Sequence, residues 1–159
     1  MSTSFQRITP FLWFDNQAEE AAKFYTAIFP NSKISHIARY DKAAAQVSGR
    51  PEGSAMVVDF ELDGQRISAL NGGPIFKFNE ALSMVIHCKT QAEIDHYWSK
   101  LTQGGDPKAQ QCGWLKDKFG VSWQVVPTEL PKLISTPQGM QAMLKMKKFD
   151  IAALRKAAA

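Results

Sequence analysis

The chain has 159 residues, 45% hydrophobic, 11% aromatic and 21% charged, a composition that excludes an intrinsically disordered or collagen-like protein. Its formal charge is +4, but residues 1–131 carry a net −1 and residues 132–159 a net +5, so the basic excess belongs to the tail alone. That distribution, with no basic stripe interleaved with exposed aromatics, argues against nucleic acid as a partner, and no run approaches the ~18 apolar residues of a membrane span.

In chain order, residues 8–14 (ITPFLWF) are an apolar run suited to a strand buried on both faces. Asp15-Asn16 then starts a helix, with Ala21, Phe24, Tyr25, Ile28 and Phe29 at helical spacing and Pro30-Asn31 as its stop. Residues 32–40 form a further strand, and residues 43–53 read as a loop of small residues. Residues 54–62 and 65–70 are strands joined by Asp63-Gly64, a two-residue hairpin signal. Next, residues 82–101 give a β-branched run, Thr90 as a cap with Glu93 three residues on, and Ile94, Tyr97, Trp98 and Leu101 on one helical face. Gly104-Gly105-Asp106-Pro107 breaks the chain, after which residues 108–116 can pair with 121–126 around Asp117 to Gly120. From Pro127 on, Met140, Met143, Leu144, Met146, Phe149, Ile151 and Leu154 predict two short amphipathic helices. Lys145, Lys147 and Lys148 form a solvated rim on one of them.

The two stretches form an internal duplication. Gln17-Ala18-Glu19 matches Gln91-Ala92-Glu93, and Phe24-Tyr25 matches Tyr97-Trp98, an offset of about 73 residues. Each half reads strand, helix, three strands, although the strand after the second helix is indistinct. Cys88 and Cys112 could pair only once, and a chain of this length needs no such staple. Free thiols, with no apolar stretch behind a basic N-terminus, give the expectation of a soluble cytoplasmic protein.

The segments PFLWFDNQAEEAAKFY (10–25), ALNGGPIFKFNEALSMVI (69–86), Asp95-His96-Tyr97-Trp98, Gly104-Gly105, CGWLKDKFGVSWQVVP (112–127) and MLKMKKFDIAAL (143–154) resemble the PhnB-like branch of the vicinal oxygen chelate (glyoxalase/bleomycin resistance) superfamily. Many of its members carry the label 3-demethylubiquinone-9 3-methyltransferase. The resemblance implies an α+β fold of two β-α-β-β-β modules forming a curved, half-barrel mixed sheet around one cavity, plus a helical C-terminal extension. It sets a single domain over 1–131, with module one at about 5–71 and module two at about 82–127, followed by an extension over 132–159. It also implies a homodimer.

Superfamily members often hold a divalent metal with side chains from the first and last strands of each module. Helix register puts the first-strand positions at Pro10 and at or near Ser83, the strand after the Asp-x-x-Gly turn gives Gln124, and the end of the first module points to Asn71; none is His, Cys, Asp or Glu, so no metal is expected. No cofactor is expected either, because the only glycine-rich turn after a strand is Asn71-Gly72-Gly73, too little for an S-adenosylmethionine site. Strict alternation puts His87 on a strand face with Ser83 and Val85, and makes Cys88 face a helix. Asp59 alternates with Val58 and Phe60, making it the candidate general base should its face line a pocket. Trp13 and Trp123 are expected to pack on helices, leaving Trp114 as the ligand-stacking candidate. The expected ligand-binding set is therefore Asn71, His87, Trp114 and Gln124. The leading reading is a metal-independent enzyme acting on a small metabolite; the alternative is a non-catalytic module that binds or sequesters a small ligand.

Overall fold

Alternating apolar residues build the first sheet. In the computed structural model, which describes residues 5–159, β1 (Phe11–Phe14) runs parallel to β4 (Gln65–Asn71). β4 pairs antiparallel with β3 (Ala55–Leu62), and β3 with β2 (Lys33–Arg39), giving the order β1-β4-β3-β2. Leu12, Phe14, Val58, Phe60, Ile67 and Ala69 are buried on one face, and α1 (Ala18–Ile28) buries Ala18, Ala21, Ala22, Tyr25 and Ile28. Tyr25 stacks on Phe60 with ring centroids 6.3 Å apart. Each such large side chain stabilises the unit by roughly 1.5–3 kcal/mol. The small residues expected to loop over 43–53 instead form α2 (Lys42–Ser48), because Asp41 accepts from Ala44 N at its start and Gly49 closes it in the left-handed region at φ 71°. An alanine run between a good N-cap and a glycine favours helix even with nothing buried.

The second sheet repeats the plan with shorter strands. β5 (Met84–Cys88) runs parallel to β7 (Ser122–Pro127), which pairs antiparallel with β6 (Trp114–Lys116), in the order β5-β7-β6. α3 (Gln91–Leu101) buries Ile94 and Leu101 and starts at a full capping box between Thr90 and Glu93. The indistinct strand of this module is a 3-10 turn at Pro107–Ala109, capped by Asp106, followed by an isolated bridge between Gln111 and Trp114. At the hairpin, buried Asp117 accepts from the amides of Phe119 and Val121 and from the Trp123 indole, which fixes the turn.

A short α4 (Leu130–Leu133) precedes the two helices expected in the tail, which are α5 (Pro137–Leu144) and α6 (Ile151–Ala158). Lys145 to Asp150 are not helical, because Thr136 and Asp150 cap separate helices on either side. Phe149 is 1% exposed and lies against Gly113, where a Cβ would stand 2.4 Å from the ring. Gln91 locks the same place, donating to Phe149 O and accepting from Ile151 N. The chain resolves into two compact units, residues 5–77 and 78–159, so the tail belongs to the second; the first four residues of the expected domain lie outside the described residues. Among the described residues no helix is long and apolar enough to cross a membrane.

Candidate functional site

On the first sheet, the face turned away from the buried core is polar. Asp59 pairs with Ser68 on β4 and with His36 on β2, so the three share this face. Ser68 Oγ donates to Asp59 Oδ1 at 2.5 Å. Glu61, two residues on, lies 3.8 Å from Arg66 Nε and 4.0 Å from Lys33 Nζ. His36, Asp59, Glu61, Arg66 and Ser68, together with Thr9, line a groove of about 380 Å³. Its chemistry is a hydroxyl-held carboxylate beside an imidazole, a combination able to accept and return a proton.

On the second sheet the corresponding face carries three of the four expected ligand-binding residues. Trp114 pairs with Gln124 on β7, and Gln124 pairs with Val85 on β5, which places Val85 and His87 on the same side. Gln124 Nε2 donates to Ser83 Oγ at 2.9 Å. His87 is exposed, while Trp114 and Gln124 are half-buried. Lys116 shares the face and pairs with Glu80, holding that carboxyl below its usual range. Indole, amide, hydroxyl and imidazole offer stacking and neutral hydrogen bonding.

The fourth residue, Asn71, stands on the opposite, core-facing side of its sheet. Its Oδ1 accepts from Ala18 N at 2.8 Å, its Nδ2 donates to Ala55 O at 3.1 Å, and its carbonyl accepts from the Tyr40 hydroxyl at 2.6 Å. The amide thus ties the end of β4 to the start of α1. Trp13 also departs from expectation: it pairs with Leu70, shares the face of Ser68, donates its indole N–H to Gly73 O and meets Phe76 edge-on. Trp123 and Cys88 are buried as expected, and burial first, then the charge of Glu93, pushes the Cys88 thiol up to about 11.

The departure of Trp13 has its cause in the turn before α1, whereas Asn71 lies three residues beyond Ser68, the β4 residue that matches Gln124, and that odd offset turns it to the core. The buried helix residues Ala21 and Ile94 are 73 positions apart, but the buried strand residues Phe14 and Cys88 are 74 apart, so the first strand-to-helix turn is one residue longer. Counting by helix register therefore slips by one on the strands. With the strands aligned on their own buried residues, the four positions of the superfamily's metal ligands become Thr9, Ser68, Ser83 and Gln124. Three neutral hydroxyls and an amide do not fit a divalent ion, which needs carboxylate, imidazole or thiolate ligands. Among the described residues no three His, Cys, Asp or Glu are grouped to hold one.

A methyl-donor site fits no better. After Gly72-Gly73 the chain enters a loop rather than a helix, and a Cβ on Gly72 would stand 2.2 Å from the Trp13 ring. The glycine there admits an indole.

Comparison with known proteins agrees with this architecture. The family model described as 3-demethylubiquinone-9 3-methyltransferase matches residues 6–126. The solved PhnB protein from Bacillus cereus, which carries the same family name, is 38% identical, with a TM-score of 0.66 over 77% of this chain and 100% of its own. Protein PA1353 from Pseudomonas aeruginosa shares the fold at 19% identity, with a TM-score of 0.59 over 77% of this chain and 98% of its own. So does the fosfomycin resistance protein FosX from Listeria monocytogenes, at 13% identity and a TM-score of 0.56 over 84% and 99%. Among curated proteins none matches. By its family match and its Bacillus relative, the chain belongs to the 3-demethylubiquinone-9 3-methyltransferase-like family, the PhnB-like branch of the vicinal oxygen chelate superfamily.

Proposed function

We propose that the protein binds a small metabolite and acts on it without a resident metal, with Asp59 as general base. The observation that carries this reading is the short bond from Ser68 to Asp59 in the groove of the first sheet, with His36 on the neighbouring strand. Ser68 holds the carboxylate in one orientation. A bound acid lying within hydrogen-bond reach of Asp59 would lose a proton to it, and the exposed His36 would exchange that proton with solvent. On the second sheet Trp114, Gln124 and His87 serve as ligand contacts, stacking and hydrogen-bonding without a carboxylate of their own. That face supports a second reading, a module that binds without turnover.

A homodimer and a cytoplasmic location are parts of the same proposal. Supporting the first, β1 and β5 end their sheets and carry exposed Phe11 and Val85, apolar edges suited to a partner. Supporting the second, both cysteines are free.

The test is a thermal-shift screen of small metabolites, S-adenosylmethionine included, followed by turnover assays on each hit. Asp59→Asn is expected to lower turnover by at least a hundredfold while leaving binding within a few-fold. Unchanged turnover removes Asp59 as the base. A stoichiometric divalent ion in protein purified without chelator overturns the metal-independent reading, and hits that bind but never turn over leave the binding-only module.

A further inference from the structure

The first unit carries a second cavity, away from Asp59, where β1, β2 and β4 end and the chain turns into α1. It has a volume of about 430 Å³ and is lined by Arg39, Arg50, Asn16, Glu19, Ser54 and Asn71, among others. Arg50 is the unusual member. Its side chain is only 19% exposed, yet its guanidinium is poorly met: Nη2 donates to Asp15 O at 2.5 Å, Nη1 lies 3.5 Å from Asp15 Oδ1, and Nε is buried with no acceptor. A guanidinium has five N–H donors, and burying them without acceptors is unfavourable. Arg39 adds a second guanidinium, with Nη1 on Gly53 O at 3.3 Å and Nη2 3.9 Å from Glu19. Glu19 does not cancel the pair, because it is also held by Lys23 at 3.0 Å. The lining itself thus carries two guanidinium groups against one carboxylate, Glu19, with Asp15 beside Arg50.

We propose that this cavity binds a small oxyanion, the carboxylate or phosphate group of a metabolite, between the guanidinium groups of Arg50 and Arg39. Planar guanidinium forks suit the paired oxygens of either group, and the cavity has room for a small body behind the anion. The proposal is independent of Asp59 chemistry, because the two cavities share no lining residue.

The experiment is an NMR titration of the ¹⁵N-labelled full chain with sodium phosphate and, separately, sodium succinate, each against sodium chloride at matched ionic strength. Expected are saturable shifts of the Arg50 Nε–H and of the Ser54 and Ala55 amides with at least one probe, with phosphate alone or succinate alone naming the group preferred. Arg39→Gln, a change at a half-exposed side chain that leaves the fold intact, is expected to weaken binding at least tenfold, as is Arg50→Gln. Arg50→Lys keeps the charge but loses the fork and is expected to recover only part of the affinity. Asp59→Asn should leave the titration unchanged. Shifts that follow chloride equally, equal affinity in Arg39→Gln, or a loss in Asp59→Asn matching that in the arginine variants would each overturn the proposal.

Discussion

Asp59 and Trp114 occupy the same position in the two repeats: each sits on the antiparallel strand directly opposite the residue, Ser68 or Gln124, that pairs with the first strand's outward face. The duplication has therefore placed a carboxylate in one unit where it placed an indole in the other. The polar bonds have diverged with them. Ser68 turns toward Asp59, while Gln124 turns toward Ser83 at the sheet's other side.

Asn71 is a structural residue in this geometry, and stability measures it. Asn71→Ala leaves the Ala18 amide and the Ala55 carbonyl without their buried partner, and unmet buried groups cost about 1–3 kcal/mol each. The expected loss is about 2–4 kcal/mol, read from the urea midpoint. A loss below about 0.5 kcal/mol would mean that the bonds to α1 and β3 are dispensable.

Phe149 holds the tail to the second unit. Truncating a fully buried phenylalanine to alanine costs about 3–5 kcal/mol. Because Cys112 N and Gly113 N donate to the carbonyls of Met146 and Lys147, Phe149→Ala should also speed hydrogen exchange at those two amides before any global unfolding. Exchange unchanged at both, in a variant that still folds, would show that the tail is held elsewhere.

The thiols should separate by pH and by reagent. Cys88, raised from 9.0 to about 11 by burial, stays protonated at neutral pH, whereas Cys112 is part-exposed. A thiol reagent at pH 8 is expected to modify Cys112 first and Cys88 only at the rate of unfolding. The sign for stability follows from the raised value: the neutral thiol suits the folded state, nothing is lost below pH 9, and stability falls as pH rises from 9 towards 11. Replacing Cys88 with alanine should flatten that alkaline slope; a slope unchanged in the variant assigns it to other groups.

Much of the fold was readable because its signals are local. The Asp63-Gly64 hairpin, the Thr90–Glu93 capping box and the alternation around Asp59 each lie within a few residues, and the structure contains all three. Trp13 is misassigned because the turn between β1 and α1 is one residue longer than its counterpart, which reverses the side of the strand that a helix-based count gives, and Asn71 because it lies three residues past the β4 position that matches Gln124. Arg50 was invisible for a different reason. It follows α2 in a segment rich in small residues, and nothing nearby in sequence says that its side chain reaches back to Asp15, 35 positions away.

The clasp between the tail and residues 112–113 has a consequence for association. β6 is only three residues long and ends its sheet, the kind of strand that invites another chain to add itself. The carbonyls of Met146 and Lys147 take the two amides just before it, and Lys116 puts a charge at its far end. The segment after α5 thus works as a guard on that margin, and a chain shortened before Met146 would offer those donors to its neighbours and precipitate at concentrations the 159-residue chain tolerates.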